Sequence, residues 1–149
     1  MEQKRWILLP PAIWISCLFL IQIVGGLAAP NSSQIPPECP ENSLNCSRMM
    51  MGLEGTPEDV HTAAMDWINS QERTTIQKQT ESSSHTVFRT QWMMFQDDFF
   101  LETGCTENGT WIQVHSESRL GIGDMGVNQN RADALLNYLS SIEFEPSDC

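Results

Sequence analysis

Residues 110–139, TWIQVHSESRLGIGDMGVNQNRADALLNYL, decide the fold. The first third alternates: Ile112, Val114, Ser116 and Ser118 share one face, while Gln113, His115, Glu117 and Arg119 share the other. That is a strand with a core side and a wetter side. Gly121, Gly123 and Gly126 then crowd a short span in which the chain must turn sharply, with positive φ or a close backbone approach. Beyond the corner Asn128 stands where a helix cap belongs, and Ala132, Leu135, Leu136, Leu139 and Ile142 recur at helical spacing. Arg119, Asp124, Asn128 and Arg131 sit at the joints of this strand, turn and helix.

Upstream, β-prone runs cover residues 74–81 and 85–95, separated by Ser82-Ser83-Ser84, and residues 99–103 and 110–119, separated by a loop containing Asn108-Gly109. Before them Thr56-Pro57-Glu58-Asp59 reads as a helix start, with threonine as cap, proline at the first helical position and an acid three residues after the cap. Val60, Ala64, Trp67 and Ile68 then share a face, and the helix should end near Gln71. The order helix, four strands, helix predicts an α+β domain over residues 56–149: two layers, with a four-stranded, mainly antiparallel sheet and two helices packed on one face. Residues 29–55, rich in Pro, Ser, Asn and Glu, read as an extended arm with two cysteines. Met49-Met50-Met51 interrupts that polarity and is expected to fill gaps against the core.

The amino terminus carries Lys4 and Arg5, an apolar run over residues 6–24 and then small residues up to Ala29. This is the order of a secretory signal peptide, residues 1–28, cleaved after Ala28. A retained membrane anchor is the alternative, since about 20 apolar residues span a bilayer, but Pro10 and Pro11 shorten the effective run to the length of a signal core. Cleavage would leave no stable membrane insertion and a secreted, extracellular chain. It lowers the acidic count from 19 to 18 and the basic count from 8 to 6, for a net charge near −12. Such a surface repels phosphate backbones, so nucleic acid is not an expected partner; divalent cations and extracellular matrix components are.

Four cysteines outlast cleavage, Cys39, Cys46, Cys105 and Cys149, and an even number in a small exported chain predicts disulfides whose connectivity the sequence leaves open. Sequons at Asn31, Asn45 and Asn108 offer glycosylation sites; at Asn45 the sequon contains Cys46, so disulfide formation competes with glycan transfer.

Phe95-Gln96-Asp97-Asp98, together with residues 114–131, resembles the domain-of-unknown-function family numbered fourteen ninety-nine. Members share an F-x-D-D element followed by S-x-S-R-x-G-x-x-D-x-G-x-N-x-x-R. Ser116, Ser118, Arg119, Gly121, Asp124, Gly126, Asn128 and Arg131 fill every fixed position of the second motif. The resemblance extends over residues 44–141, with Asn45-Cys46-Ser47 similar to a run near the family's start. It implies an exported setting, since members occur in bacterial envelopes and the thylakoid lumen, and it implies no activity. This chain departs from the pattern in its signal peptide, sequons and further cysteines.

Four readings of the motif compete. In the first, Arg119 and Asp124 form a bidentate pair across the turn and Arg131 reaches Asp97 or Asp98, so that the polar residues fix strand-to-helix geometry. In the second, Arg119, Asp124, Asn128 and Arg131 with the helix amino terminus make an anion or carboxylate site, although the glycines lack nucleotide-loop spacing. In the third, Asp97, Asp98 and Asp124 ligate calcium; a zinc site would want cysteine and histidine clusters that the sequence does not display. The fourth is catalysis, by Cys46 with His61 or His115, or by Ser116 with His115, though adjacent strand residues point to opposite faces. Trp67 is expected in the helix core, while Trp92 and Trp111 are candidates for exposed rings.

The expected product is a secreted, acidic, disulfide-bonded glycoprotein without a cofactor. It is read as a non-enzymatic binding or structural component of the extracellular matrix, with divalent-ion or mineral association as an extension. The alternatives are a secreted enzyme, or a small anion- or lipid-binding protein using the Arg119, Asp124 and Arg131 corner. A lipid carrier would need an apolar cavity between helices and sheet.

Overall fold

Alternation of burial along the strands organises the molecule. A computed structural model of the chain describes residues 9–107 and 109–147. Lys4 and Arg5, the basic residues of the expected signal, Asn108 of its sequon and Cys149 lie outside the described residues. The elements are α1 (Leu9–Leu27), β1 (Cys46–Leu53), α2 (Pro57–Ser70), β2 (Thr74–Gln79), β3 (Ser83–Arg89), β4 (Gln96–Thr106), β5 (Gly109–Ser118) and α3 (Val127–Ser140).

The sheet has five strands in the order β1-β5-β4-β3-β2, every neighbour antiparallel. This corrects the expected four strands and moves the end of the arm from residue 55 back to Asn45. Residues 46–53, CSRMMMGL, carry no β-branched or aromatic residue, so no strand propensity announces β1. Its place comes from pairing with β5, which sets Met49 opposite Val114 and Met51 opposite Ile112. Met49, Met51 and Leu53 pack against the core while Met50 points out, so the methionine run fills gaps as its chemistry suggests, in strand alternation.

Helices α2 and α3 cover one sheet face. Val60, Ala64, Met65 and Ile68 of α2 and Ala132, Leu135, Leu136 and Leu139 of α3 meet Phe88, Phe99, Leu101, Ile112 and Val114 from the strands. Thr56 caps α2 as its sequence suggests: its Oγ1 accepts from the Asp59 N–H at 3.1 Å, and the helix stops at Gln71. Trp67 is half-buried against this core. Trp111 lies over Gly104 on the neighbouring strand, where an added Cβ would meet its ring at 2.5 Å, and Trp92 is exposed.

Several strand boundaries differ from expectation, β4 also running on to Thr106. β3 ends at Arg89 instead of near Phe95, because residues 90–95 turn, with Met94 at φ 56° and the Thr90 N–H donating to the Phe95 carbonyl. β4 begins earlier, at Gln96, although glutamine and aspartates disfavour strands. Partners for those side chains, described below, override the propensity.

The opposite face of the sheet is covered as well. His85, Phe100 and His115 occupy adjacent strands on that side and are buried. His85 stacks on Phe100 with centroids 4.2 Å apart, and Phe100 meets His115 edge-on. The arm lies over them: Ser33 Oγ is 3.2 Å from His85 Nδ1, the Pro36 carbonyl accepts from the Arg48 guanidinium, and Cys39 is disulfide-bonded to Cys46. The part of this face beneath the arm is therefore dry although patterned as wet, while Met50 on the same face stays exposed.

Helix α1 is the one described helix long and apolar enough to cross a membrane, and it lies near the amino terminus. It is largely exposed and contributes nothing to the core.

Truncating Leu135 to Ala should cost about 2–5 kcal/mol, while Asn137→Ala, two residues along on the exposed side of α3, should stay within about 0.5 kcal/mol. Urea denaturation of both variants measures the contrast, and equal losses would contradict the packing of α3 described here.

Candidate functional site

β4 opens with Gln96-Asp97-Asp98, and consecutive strand residues point to opposite faces, so the two carboxylates serve different sides of the sheet. Asp97 faces the helices. Its Oδ2 accepts from Arg131 Nη2 at 2.9 Å and its Oδ1 from Ser118 Oγ at 2.6 Å. Arg131 Nη1 also donates to Asn128 Oδ1 and Ser116 Oγ, and the guanidinium lies over the Phe88 ring at 4.5 Å. Ser116 Oγ donates to Asn128 Oδ1, and Asn128 Nδ2 donates to Ser118 Oγ and to the Asn45 carbonyl.

Asp98 faces the arm. Arg119 donates to it bidentately, Nε to Oδ2 at 2.7 Å and Nη2 to Oδ1 at 2.8 Å, and His85 Nε2 lies 2.7 Å from the same Oδ1. Arg119 Nη1 donates to Gln96 Oε1 at 2.7 Å and, more weakly, to the Gly25 carbonyl of α1. Burial pushes the Asp98 carboxyl up, but the hydrogen bonds and charges of Arg119 and His85 outweigh it and hold the group below its ordinary value.

Asp124 does not pair with Arg119. It caps α3: Oδ1 accepts from the Gly126 N–H at 2.9 Å and Oδ2 from the Asn128 N–H at 2.7 Å. Asn128 is correspondingly not the cap; Gly126 holds that position at φ 80°, while Asn128 lies inside the helix, buried at the centre of the serine and arginine network. The error has a physical origin. Asparagine is a good cap, but a carboxylate three residues before the helix accepts from N–H groups at its start with charge assistance. Gly121 also takes positive φ, at 104°, whereas Gly123 does not and instead bridges to Leu44.

The calcium reading loses its geometry, since Asp98 lies on the opposite sheet face from Asp97 and each of the three carboxylates is already bonded to donors of its own. Ser116 and His115 point to opposite faces, as adjacent strand residues do, so they form no catalytic pair. His61 sits on α2, buried, with Nε2 unpartnered. Burial holds its imidazole below the ordinary value, against a smaller opposite pull from the Ser83 backbone.

Two groups named from the sequence have partners that it did not assign. Asn45 is one: Nδ2 donates to the Gly121 carbonyl at 2.8 Å and to the Ser118 carbonyl at 3.4 Å, and the Asn45 carbonyl accepts from the Ser118 N–H. The atom to which a glycan would attach is thus joined to the glycine corner, whereas Asn31 is exposed. The other is the junction of Cys39, Cys46 and His115, whose donor atoms lie within 4.8 Å of one another. Cys46 Sγ is 3.5 Å from His115 Nε2, which is 3.3 Å from Glu117 Oε2. Of the four predicted disulfide cysteines, Cys39 and Cys46 bond to each other and Cys105 is disulfide-bonded.

A family model described as "Protein of unknown function (DUF1499)" matches residues 30–139. Among curated proteins none matches the chain. Among solved structures, the X-ray crystal structure of protein CV1439 from Chromobacterium violaceum is similar, at 8% identity and a TM-score of 0.38, over 64% of this chain and 92% of that one.

Removing one partner of a buried pair strands the other charge, so Asp97→Asn and Asp98→Asn should each cost about 3–5 kcal/mol, against about 0.5–2 kcal/mol for loss of the Asp124 cap. The folded Asp98 carboxyl titrates below its unfolded value, so its stabilisation is present at neutral pH and is lost as pH falls through the acid carboxylate range. His61, held neutral by burial, adds a loss that begins as pH falls below about 6.5. Denaturant titrations from pH 7 to 3 should show both slopes, the lower one absent in Asp98→Asn; an unchanged lower slope in that variant would refute the assignment.

Proposed function

The chain belongs to the DUF1499 family, proteins of unknown function, and from that premise we propose that it acts outside the cell as a disulfide-bonded, glycosylated, non-enzymatic binding or structural component of the extracellular matrix. The observation that carries this reading is the saturation of the motif's cations. The Arg119 and Arg131 side chains, 9% and 12% exposed, are paired with Asp98 and Asp97, so that among the described residues of the motif both cations are already neutralised. Export is supported by the basic and apolar amino terminus and by the Cys39–Cys46 disulfide. Net negative charge favours divalent cations and basic matrix components as partners.

The anion-site alternative meets the wrong charge. A cavity of about 220 Å³ beside the corner is lined by Asp97, Ser118, Gly121 and Asp124 among others, and its charged liners are both carboxylates. A lipid carrier lacks its room, because the space between helices and sheet is filled by Ile68, Phe99, Ile112, Leu135 and Leu139.

Mass spectrometry of the native protein should find a mature chain beginning at Ala29, with glycan on Asn31 and an unmodified Asn45. Retention of the purified chain on decellularised matrix should survive Arg131→Ala at temperatures where that variant stays folded. Loss of retention in a folded Arg131→Ala variant would return the corner to the status of a ligand site, and absence of retention by the wild-type chain would remove the matrix reading.

A further inference from the structure

The junction of arm and sheet holds a second chemistry. We infer that reduction of the Cys39–Cys46 disulfide converts it into a binding site for a thiophilic divalent cation, zinc by its donor set, held by the Cys39 and Cys46 thiolates, the His115 imidazole and the Glu117 carboxylate.

The register assembles the set. Cys46 on β1 lies opposite Glu117 on β5, and His115, two residues before Glu117, shares its face. Cys39 arrives from the arm, separated by 7 residues from its disulfide partner. Two edges fit a tetrahedral centre as they stand; the sulfurs must part when the disulfide opens, and the Glu117 carboxylate, outside the close cluster of the other three donors, must swing inward. With bonds of about 2.3 Å to sulfur and about 2.0–2.2 Å to nitrogen and oxygen, the sulfur-to-nitrogen edge is about 3.5 Å and the nitrogen-to-oxygen edge about 3.4 Å. The Cys46 Sγ to His115 Nε2 distance is 3.5 Å and the His115 Nε2 to Glu117 Oε2 distance is 3.3 Å. Three of the donor atoms already lie within 4.8 Å of one another.

Burial and charge agree. His115 is completely buried, and the nitrogen it turns to Cys46 and Glu117 is Nε2, the one offered to a cation, while Nδ1 faces away from the cluster without a partner. Two thiolates and a carboxylate offset a divalent cation, and Arg48, opposite His115 in the register, places a guanidinium on the same side.

The disulfide and the metal exclude each other, because the ligand is the thiolate. Opening requires a thiol reductant: one of its thiolates attacks a sulfur of the pair and forms a mixed disulfide, and a second resolves it. Two electrons pass to Cys39 and Cys46, and the reductant leaves as its own disulfide. Binding of the cation then sends the two thiol protons to water. Either linkage, disulfide or metal, keeps Cys39 joined to Cys46 and the arm on the sheet.

The test is metal titration of the full chain, oxidised or reduced by a phosphine and desalted without air, against a chromophoric chelator. Reduced protein should take up one equivalent of Zn2+, and Co2+ in its place should give a thiolate-to-cobalt charge-transfer band; oxidised protein should do neither. Cys39→Ser and His115→Gln should weaken uptake at least tenfold, Glu117→Gln less, and Cys105→Ser should leave it unchanged. Equal uptake by oxidised and reduced chains, or uptake lost in Cys105→Ser and kept in Cys39→Ser, overturns the inference. So does a reduced chain that unfolds and is not refolded by one equivalent of Zn2+.

Discussion

Two consecutive carboxylates facing opposite ways hold this structure in register. Asp97 and Asp98 share one strand, and the pleat sends one toward the helices and the other toward the arm. Asp97 captures Arg131 from α3; Asp98 captures Arg119 from the end of β5. A slip of β4 by one residue would exchange the faces and leave two arginines without partners in a dry setting, where an unpaired charge is costly. The pairs therefore act more on which structure forms than on how stable it is, because desolvation cancels much of their attraction. Net stability comes from apolar contact between α2, α3 and the sheet.

The same polar lattice carries the arm. Asn128 and Ser118 reach the backbone of Asn45, whose side chain in turn reaches the Gly121 carbonyl. Strand β1 follows at once, with the disulfide at its first residue. Arg131, Ser116, Ser118 and Asn128, with Asp97, thus form one connected set that joins β4, β5, α3 and the arm, while Arg119 belongs to a second set with Asp98, Gln96 and His85 on the other face. Polar groups satisfied by one another in this way fix the relative placement of the elements that carry them.

Covering the outer sheet face has consequences for chemistry. His85, Phe100 and His115 line up across three strands beneath the arm, so both imidazoles are buried, although the alternation of β5 puts His115 on the wetter face. A histidine in that position beside paired cysteines is a different chemical group from a solvated one, and its neighbours, Cys46 and Glu117, come from the facing strand and the same strand.

Local pattern was enough for the Thr56 cap, the apolar stripes of both helices, the alternation of residues 112–119 and the positive φ at Gly121 and Gly126, because each follows from a period or a backbone requirement within a few residues. The pairing of Arg131 with an acid of β4 was within reach for the same reason, as both flank one corner. What lay beyond local pattern was every choice between equivalent partners. Asp124 had Arg119 and two helix N–H groups to choose from, and the helix end won; Asn128 then moved from cap to core. β1 had no propensity of its own and became a strand because β5 offered an open edge. Cys46 and His115, 69 residues apart, met only through that pairing. Sequence by itself determined the α+β class and the residues that must be paired; tertiary structure decided with whom, because contacts between distant segments depend on which edges and faces remain open once the nearer ones have closed.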